Sequence, residues 1–380
     1  MSDRKAARLD LDTVVLDPAT RIVVCCGSGG VGKTTTAAAI GLRAAERGRK
    51  VVVLTIDPAR RLAQSMGLSE LDNTPRAVSG VDTAKGGELH AMMLDMKRTF
   101  DEIVSAHSTP ERAGQIFANP FYQSLSSSFA GTQEYMAMEK LSQLRARDEW
   151  ELIVVDTPPS RSALDFLDAP QRLGRFLDGR MLRLLLAPAR AGGRAYLKVV
   201  SASFSLFTRV LTRIIGTDVL RDLSAFVGAL ETMFGGFRER AQKTYELLKT
   251  PGTGFVVVAA PEPDALREAS YFVDRLSAED MPLAGLVLNR VRTSAVPRLS
   301  AERADVAADV LAENGEHELA EAVLRVHAER ARLAVRDRRM RDRFTSAHPE
   351  VPLVEVPALA TDVHDLDGLR QVASRLGGSD

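Results

Sequence analysis

The sequence predicts an α/β protein: a doubly wound, mostly parallel sheet carrying an inserted helical subdomain. Three observations predict it. Short apolar runs recur along the chain, of the kind that parallel strands covered on both faces require. Segments of helical period alternate with them at both ends of the sequence. Between residues 163 and 249 the period becomes helical throughout, without strand signals. The length of 380 residues suits two domains or one α/β domain with a large insertion, and 45% hydrophobic residues supply an ample core.

Taken in order, Arg21–Cys26 reads as a buried strand, and Thr34–Arg47, with Ala37, Ala38, Ile40, Leu42, Ala44 and Ala45, as a helix leading out of the glycine-rich stretch that follows it. Lys50–Ile56 is the next strand and completes a βαβ unit. Glu88–Asp95 is a weaker strand, and residues 98–147 carry helical material with a break near Asn119-Pro120. Glu151–Asp156 is again a buried strand. In the helical region Leu220, Leu223, Phe226, Val227, Leu230, Met233, Phe234 and Phe237 fall at spacings of three and four and mark one broad apolar face. Phe204, Phe207, Leu211, Ile214 and Ile215 mark another. The alternation then returns: Gly254–Ala260 a strand, Asp264–Leu276 a helix, Leu283–Asn289 a strand, a long helical stretch from about Leu299 to Thr345 broken near Asn314-Gly315, Val351–Val356 a last strand, and Asp365–Leu376 a last helix. The α/β core therefore comprises residues 1–97, 148–162 and 251–380, and the helical subdomain residues 98–147 and 163–250.

Composition excludes some function classes. Lys+Arg and Asp+Glu balance at 50 each, so no global field favours nucleic acid or anionic lipid, and no nucleic-acid partner is expected. Segment Arg325–Arg343 holds eight arginines against Glu329, Asp337 and Asp342; such a run could bind phosphate-rich partners, but it reads first as a charge-laced solvated helix. The two cysteines, Cys25 and Cys26, are neighbours on one strand and point to opposite faces, which gives buried thiols rather than a disulfide. No C-x-x-C provides a thiolate zinc site. The N-terminus opens no apolar stretch, and arginines interrupt the longest apolar runs, so neither a leader nor a membrane span is expected and a cytoplasmic location is.

Gly27-Ser28-Gly29-Gly30-Val31-Gly32-Lys33-Thr34-Thr35 satisfies G-x-x-x-x-G-K-[ST] between a strand and a helix. Its glycines let backbone N–H groups turn toward phosphate oxygens, the helix dipole adds partial positive charge, Lys33 reaches the outer phosphates and the Thr34 hydroxyl suits Mg²⁺. Nucleoside triphosphate chemistry also needs a group that orients the attacking water and one that senses the γ-phosphate through the metal. Asp57 and Asp156 both end buried strands, where an open α/β sheet gathers its ligands. Asp156 has the Walker-B arrangement and is the metal candidate; Asp57 is the water-positioning candidate. The guanine-reading pattern Asn-Lys-x-Asp is absent, since Asn289 continues as Arg290-Val291, and ATP is the default nucleotide.

The blocks Gly27–Thr35, Asp57-Pro58-Ala59, Gly131–Leu141, Asp156-Thr157-Pro158-Pro159, Asn289 and Val356–Val363 followed by Leu366-Asp367-Gly368-Leu369 resemble the arsenite-pump ATPase family. That family includes ATPases that target tail-anchored membrane proteins, and it belongs with the MinD and nitrogenase iron-protein class of dimeric P-loop ATPases. The resemblance covers nearly the whole chain. It implies that Gly29–Thr35 bind the triphosphate, that Thr34 binds Mg²⁺, that Asp57 activates water and that Asp156 is the second switch. Glu262 and Asn289 match nucleotide contacts, and Pro357–Val363, with Pro357, Asp362 and Val363, resembles the segment closing over adenine. A dimer is implied, of two copies or with a paralogous ATPase, with a hydrophobic or membrane-protein client. Three departures stand out: Ser28 where the family has a lysine that crosses the dimer, Arg60-Arg61 where it has His-Ser, and no C-x-x-C to join two subunits through zinc. The second function class implied is the energising subunit of an oxyanion efflux pump, and the third a weakly hydrolysing nucleotide switch.

Overall fold

Each of the apolar runs becomes a strand of one eight-stranded sheet in the computed structural model, which describes residues 7–57, 61–120, 122–123, 132–158, 239–240, 242–315 and 317–377. The strands are β1 Ile22–Cys26, β2 Lys50–Thr55, β3 Arg76–Ala77, β4 Glu88–Met93, β5 Leu152–Asp156, β6 Thr253–Ala259, β7 Leu283–Val291 and β8 Leu353–Pro357. Their order across the sheet is β3-β4-β2-β5-β1-β6-β7-β8, and every neighbouring pair is parallel except β3 with β4. Every residue of β1, β5 and β6 is buried, as strands covered on both faces must be.

The helices around this sheet are α1 Leu11–Val15, α2 Lys33–Glu46, α3 Arg61–Ser65, α7 Pro263–Ala278, α9 Glu318–Ala347 and α10 Leu366–Leu376, while α8 Ala301–Asn314 packs on α9 through Ala301, Ala304, Ala328 and Ala331. Small residues let α2 lie close: Ala37, Ala38, Ala39, Ala44 and Ala45 are fully buried, and a Cβ on Gly41 would strike Val53 of β2. Leu369, Val372, Ala373 and Leu376 of α10 join the same core. At the amino-terminal edge Arg49 is buried as a structural pin. Its guanidinium donates to the carbonyls of Val15 (2.7 Å), Thr20 (2.9 Å) and Glu151 (2.6 Å), which ties three chain segments together.

Two compact units emerge, residues 1–93, 147–163 and 248–380 forming one and residues 94–146 and 164–247 the other. The first holds the sheet. In the second, the described helices are α4 Met96–His107, α5 Pro110–Ala118 and α6 Thr132–Arg147, where α6 runs to the boundary. Ion pairs between Lys140 and Glu102 (2.6 Å) and between Arg240 and Glu139 (3.0 Å) link its segments. The apolar faces at 204–215 and 220–237, and with them most of residues 163–250, lie outside the described residues, as do Pro58, Ala59 and Arg60.

Helix boundaries follow caps that the sequence carries. The 98–147 stretch breaks at Asn119, as expected, and also at Thr109-Pro110, where Thr109 caps α5 and Pro110 occupies its first turn. The 299–345 stretch breaks at Gly315, whose φ of 69° ends α8 in a left-handed turn. Strand β7 runs two residues beyond Asn289 through an irregularity at Arg290, which adopts a φ of 60°. The short elements α1, α3 and β3 have too few residues for a period to show. Among the described residues no helix is long and apolar enough to cross a membrane.

Candidate functional site

The strand order brings the sequence motifs to one edge. Strand β5 lies between β1 and β2, and Asp156 at its end is in register with both Cys25 and Thr55. The glycine-rich loop leaves β1, and β2 ends just before Asp57. All three therefore meet at the carboxyl edge of adjacent strands, the position where open α/β sheets bind ligands.

The loop's shape is imposed by its glycines. Gly27 has a φ of 147°, and a Cβ there would run into the carbonyl oxygen of Val258 on β6. Gly32 has a φ of 94°, caps α2, and leaves room for the side chain of Asn289, which a Cβ would strike. Asn289 uses that room to donate from Nδ2 to the carbonyl of Val31 at 2.8 Å. Arg290 donates to the carbonyl of Gly30 at 2.9 Å, so the end of β7 steadies the loop from outside.

Behind the loop lies a buried polar cluster. Thr34 Oγ1 and Thr55 Oγ1 both donate to Asp156 Oδ2, at 2.8 and 2.9 Å, while Asp156 Oδ1 is buried with no hydrogen-bond partner among the described residues. Burial pushes the Asp156 carboxyl up to about 6, against the opposing pull of the two threonines and Lys33. Lys33 is itself buried and donates from Nζ to the carbonyl of Ser28 at 2.7 Å. That burial lowers its pKa, with Asp156 the largest opposing influence. The Ser28 hydroxyl is enclosed without a partner among the described residues. Asp57 sits two residues beyond Thr55, whose hydroxyl accepts from its backbone N–H at 3.2 Å.

A cavity of about 990 Å³ opens in front of this cluster. Of the residues singled out in the sequence, Gly30, Gly32, Lys33, Thr34, Thr35, Asp57, Asn289, Pro357, Asp362 and Val363 line it. Gly27, Ser28, Gly29, Val31 and Asp156 do not reach its wall. Glu262 is exposed at the start of α7 and does not line it either. Arg61, the described half of the Arg60-Arg61 pair, does line it, as does Arg290. Thr55 and Arg290 carry contacts that the sequence reading missed. Thr55 was legible as a hydroxyl at the end of a strand beside an acidic one; the role of Arg290 depends on a left-handed backbone turn that no spacing announces.

The residues fit a magnesium nucleotide. An unpartnered buried carboxylate oxygen beside a threonine hydroxyl is a hard-oxygen donor set. Gly30 and Gly32, both at positive φ on the cavity wall, give the loop a backbone shape that suits phosphate at the start of α2.

Comparison with known proteins agrees with the geometry. The ATPase GET3 of Podospora anserina is 24% identical over 293 residues, covering 76% of this chain and 78% of that protein. The ATPase GET3 of Malassezia globosa is 28% identical over 167 residues, 44% of this chain and 47% of the relative. A protein of Aquifex aeolicus whose name describes an arsenical pump-driving ATPase is 25% identical over 257 residues, 66% of this chain and 58% of the relative. The family described as anion-transporting ATPase matches residues 20–313, well over half of the 380, and the chain belongs to that family.

Proposed function

We propose that this ATPase binds MgATP in the cavity in front of Asp156 and hydrolyses it as a dimer, coupling nucleotide state to a helical surface that carries a hydrophobic or membrane-protein client. The observation that carries the reading is the convergence of Thr34 and Thr55 on one oxygen of a buried Asp156, whose other oxygen has no partner, beside a buried Lys33. Backbone N–H groups of Gly29–Thr35 bind the phosphates, Thr34 and Asp156 hold the metal, and Asp57 orients water. The loop containing Pro357, Asp362 and Val363 borders the base. Magnesium bound there would withdraw charge from the phosphate oxygens. Lys33 leaves the Ser28 carbonyl to meet the triphosphate, so in this reading the loop opens as the nucleotide enters.

Ser28 sets the expected rate. The family lysine at this position crosses a dimer to the partner's phosphates; with serine there, Arg61 in the same cavity is the candidate replacement. Steady-state MgATP hydrolysis by the purified chain, with Lys33→Ala and Asp57→Asn and a parallel ATP-binding assay, tests the whole reading. Turnover lost in both variants supports it. Turnover unaffected by Lys33→Ala sinks it. Ser28→Lys is expected to raise turnover with the dimer intact.

A second reading, a switch that binds ATP without turnover, has one observation in its favour: Lys33 is already committed to a loop carbonyl. Tight binding with no hydrolysis would select it. The oxyanion-pump reading draws support from the name of the Aquifex relative. Against it, both cysteines of the sequence are buried on β1, and burial pushes Cys26 up to about 12, leaving no accessible thiolate for arsenite.

A further inference from the structure

The arginine-rich segment noted in the sequence lies within α9 and is the charge-laced, exposed helix expected there, but its charges are unevenly paired. Arg325 pairs with Glu321 and Asp309, Arg332 with Asp305, and Arg341 with Asp342 and Glu355. Arg336, Arg338, Arg339 and Arg343 have no acidic partner among the described residues. The acids that helical spacing would offer them are committed elsewhere. Asp337 is buried and accepts from the backbone and side chain of Arg292, at 2.8 and 3.2 Å. Asp342, four residues beyond Arg338, is taken by Arg341 at 2.8 Å.

Those four arginines, together with Arg332, line one cavity of about 450 Å³ between α9 and the start of α8. Arg332, Arg336, Arg339 and Arg343 follow spacings of four, three and four, a stripe of roughly 16 Å along one helix face. The amino-terminal turn of α8, capped by Ser300, forms the facing wall and adds partial positive charge; Glu302 is the acid in the lining. A chain with 50 basic and 50 acidic residues thus gathers four unpaired guanidinium groups into one groove. Such concentration costs self-repulsion unless an anion neutralises it. The planar fork of arginine suits phosphate oxygens, and phosphate offers more charge per centre than a carboxylate.

We propose that the groove between α8 and α9 is a second anion site that binds a multiply charged phosphate ligand. The proposal is independent of the nucleotide reading, since none of these residues lines the cavity at Asp156.

The test is calorimetric titration of tripolyphosphate into the full chain with excess MgADP present to occupy the nucleotide cavity. Binding should weaken roughly tenfold or more in Arg336→Gln/Arg339→Gln. The charge-matched pair Arg112→Gln/Arg267→Gln should leave it unchanged, and citrate should bind more weakly. ATP turnover and thermal midpoint of both double variants check that they fold. A second arm asks the source of the phosphate: co-sedimentation with phosphatidylcholine vesicles, with and without phosphatidic acid. Arginine-dependent capture by phosphatidic acid assigns a lipid headgroup, and arginine-dependent tripolyphosphate binding without capture assigns a soluble ligand. Absence of arginine-dependent binding in both arms overturns the proposal, as does equal weakening by the control pair or equal affinity for citrate.

Discussion

Gly27 and Gly30 share a positive φ but not the same surroundings, and they separate two costs of substitution. At Gly27 a Cβ meets the main chain of β6, which cannot yield; at Gly30 a Cβ meets open space. Gly27→Ala is expected to lower the unfolding free energy by about 2–4 kcal/mol, whereas Gly30→Ala costs about 1 kcal/mol from backbone strain alone. Urea denaturation of the two variants checks the ranking. Asp156 presents the opposite case, a residue whose charge works against the fold. Burial raises its pKa, so at neutral pH the folded chain carries a carboxylate withdrawn from water. Asp156→Asn keeps an acceptor for Thr34 and Thr55 and removes that charge. It is expected to raise the unfolding free energy by about 1–2 kcal/mol and to lower MgATP turnover by about a hundredfold or more. A variant that lost both stability and turnover would show that the carboxylate serves folding instead.

Among elements, the strands were the most legible, because runs such as those at 50–56 and 151–156 admit only a strand buried on both faces. Helix ends were legible where a cap is spelled out, as at Asp365, which accepts from the N–H of Gly368 at 2.8 Å and starts α10. Asp365→Ala should cost about 1 kcal/mol, read as a lower thermal midpoint. The wall of the site was less legible. The loop glycines, Lys33, Thr34 and the two strand-end aspartates follow from spacing, whereas the support from Arg290 and Thr55 arises from strand order, which pairs residues more than a hundred positions apart. Strand β4 holds a further element-scale consequence. His90 packs its ring 4.4 Å from that of Trp150, and burial lowers its pKa below 6.5. A base whose folded pKa is depressed contributes stability above its unfolded pKa, and that contribution is lost as pH falls below about 6.5. The chain should therefore melt lower at about pH 5.5 than at about pH 7.5, and His90→Phe should shrink the difference.

For the molecule as a whole, nucleotide binding is also a stability term. At free MgATP about a hundredfold above its dissociation constant, the unfolding free energy should rise by about 2.7 kcal/mol, and Lys33→Ala should remove most of that gain. Light scattering behind size-exclusion chromatography, with and without MgATP, tests the dimer in the same samples. The end of β7 gives this coupling a mechanical reading. Within four residues the end of β7 and the residue after it hold the phosphate loop, through Asn289 and Arg290, and the carboxyl-terminal half of the 30-residue helix α9, through Arg292 and Asp337. A force applied along α9 would enter the sheet at the residues that steady the loop. In a pulling experiment a tether on α9 should hasten nucleotide release at loads too small to shear β7 from β6 or β8.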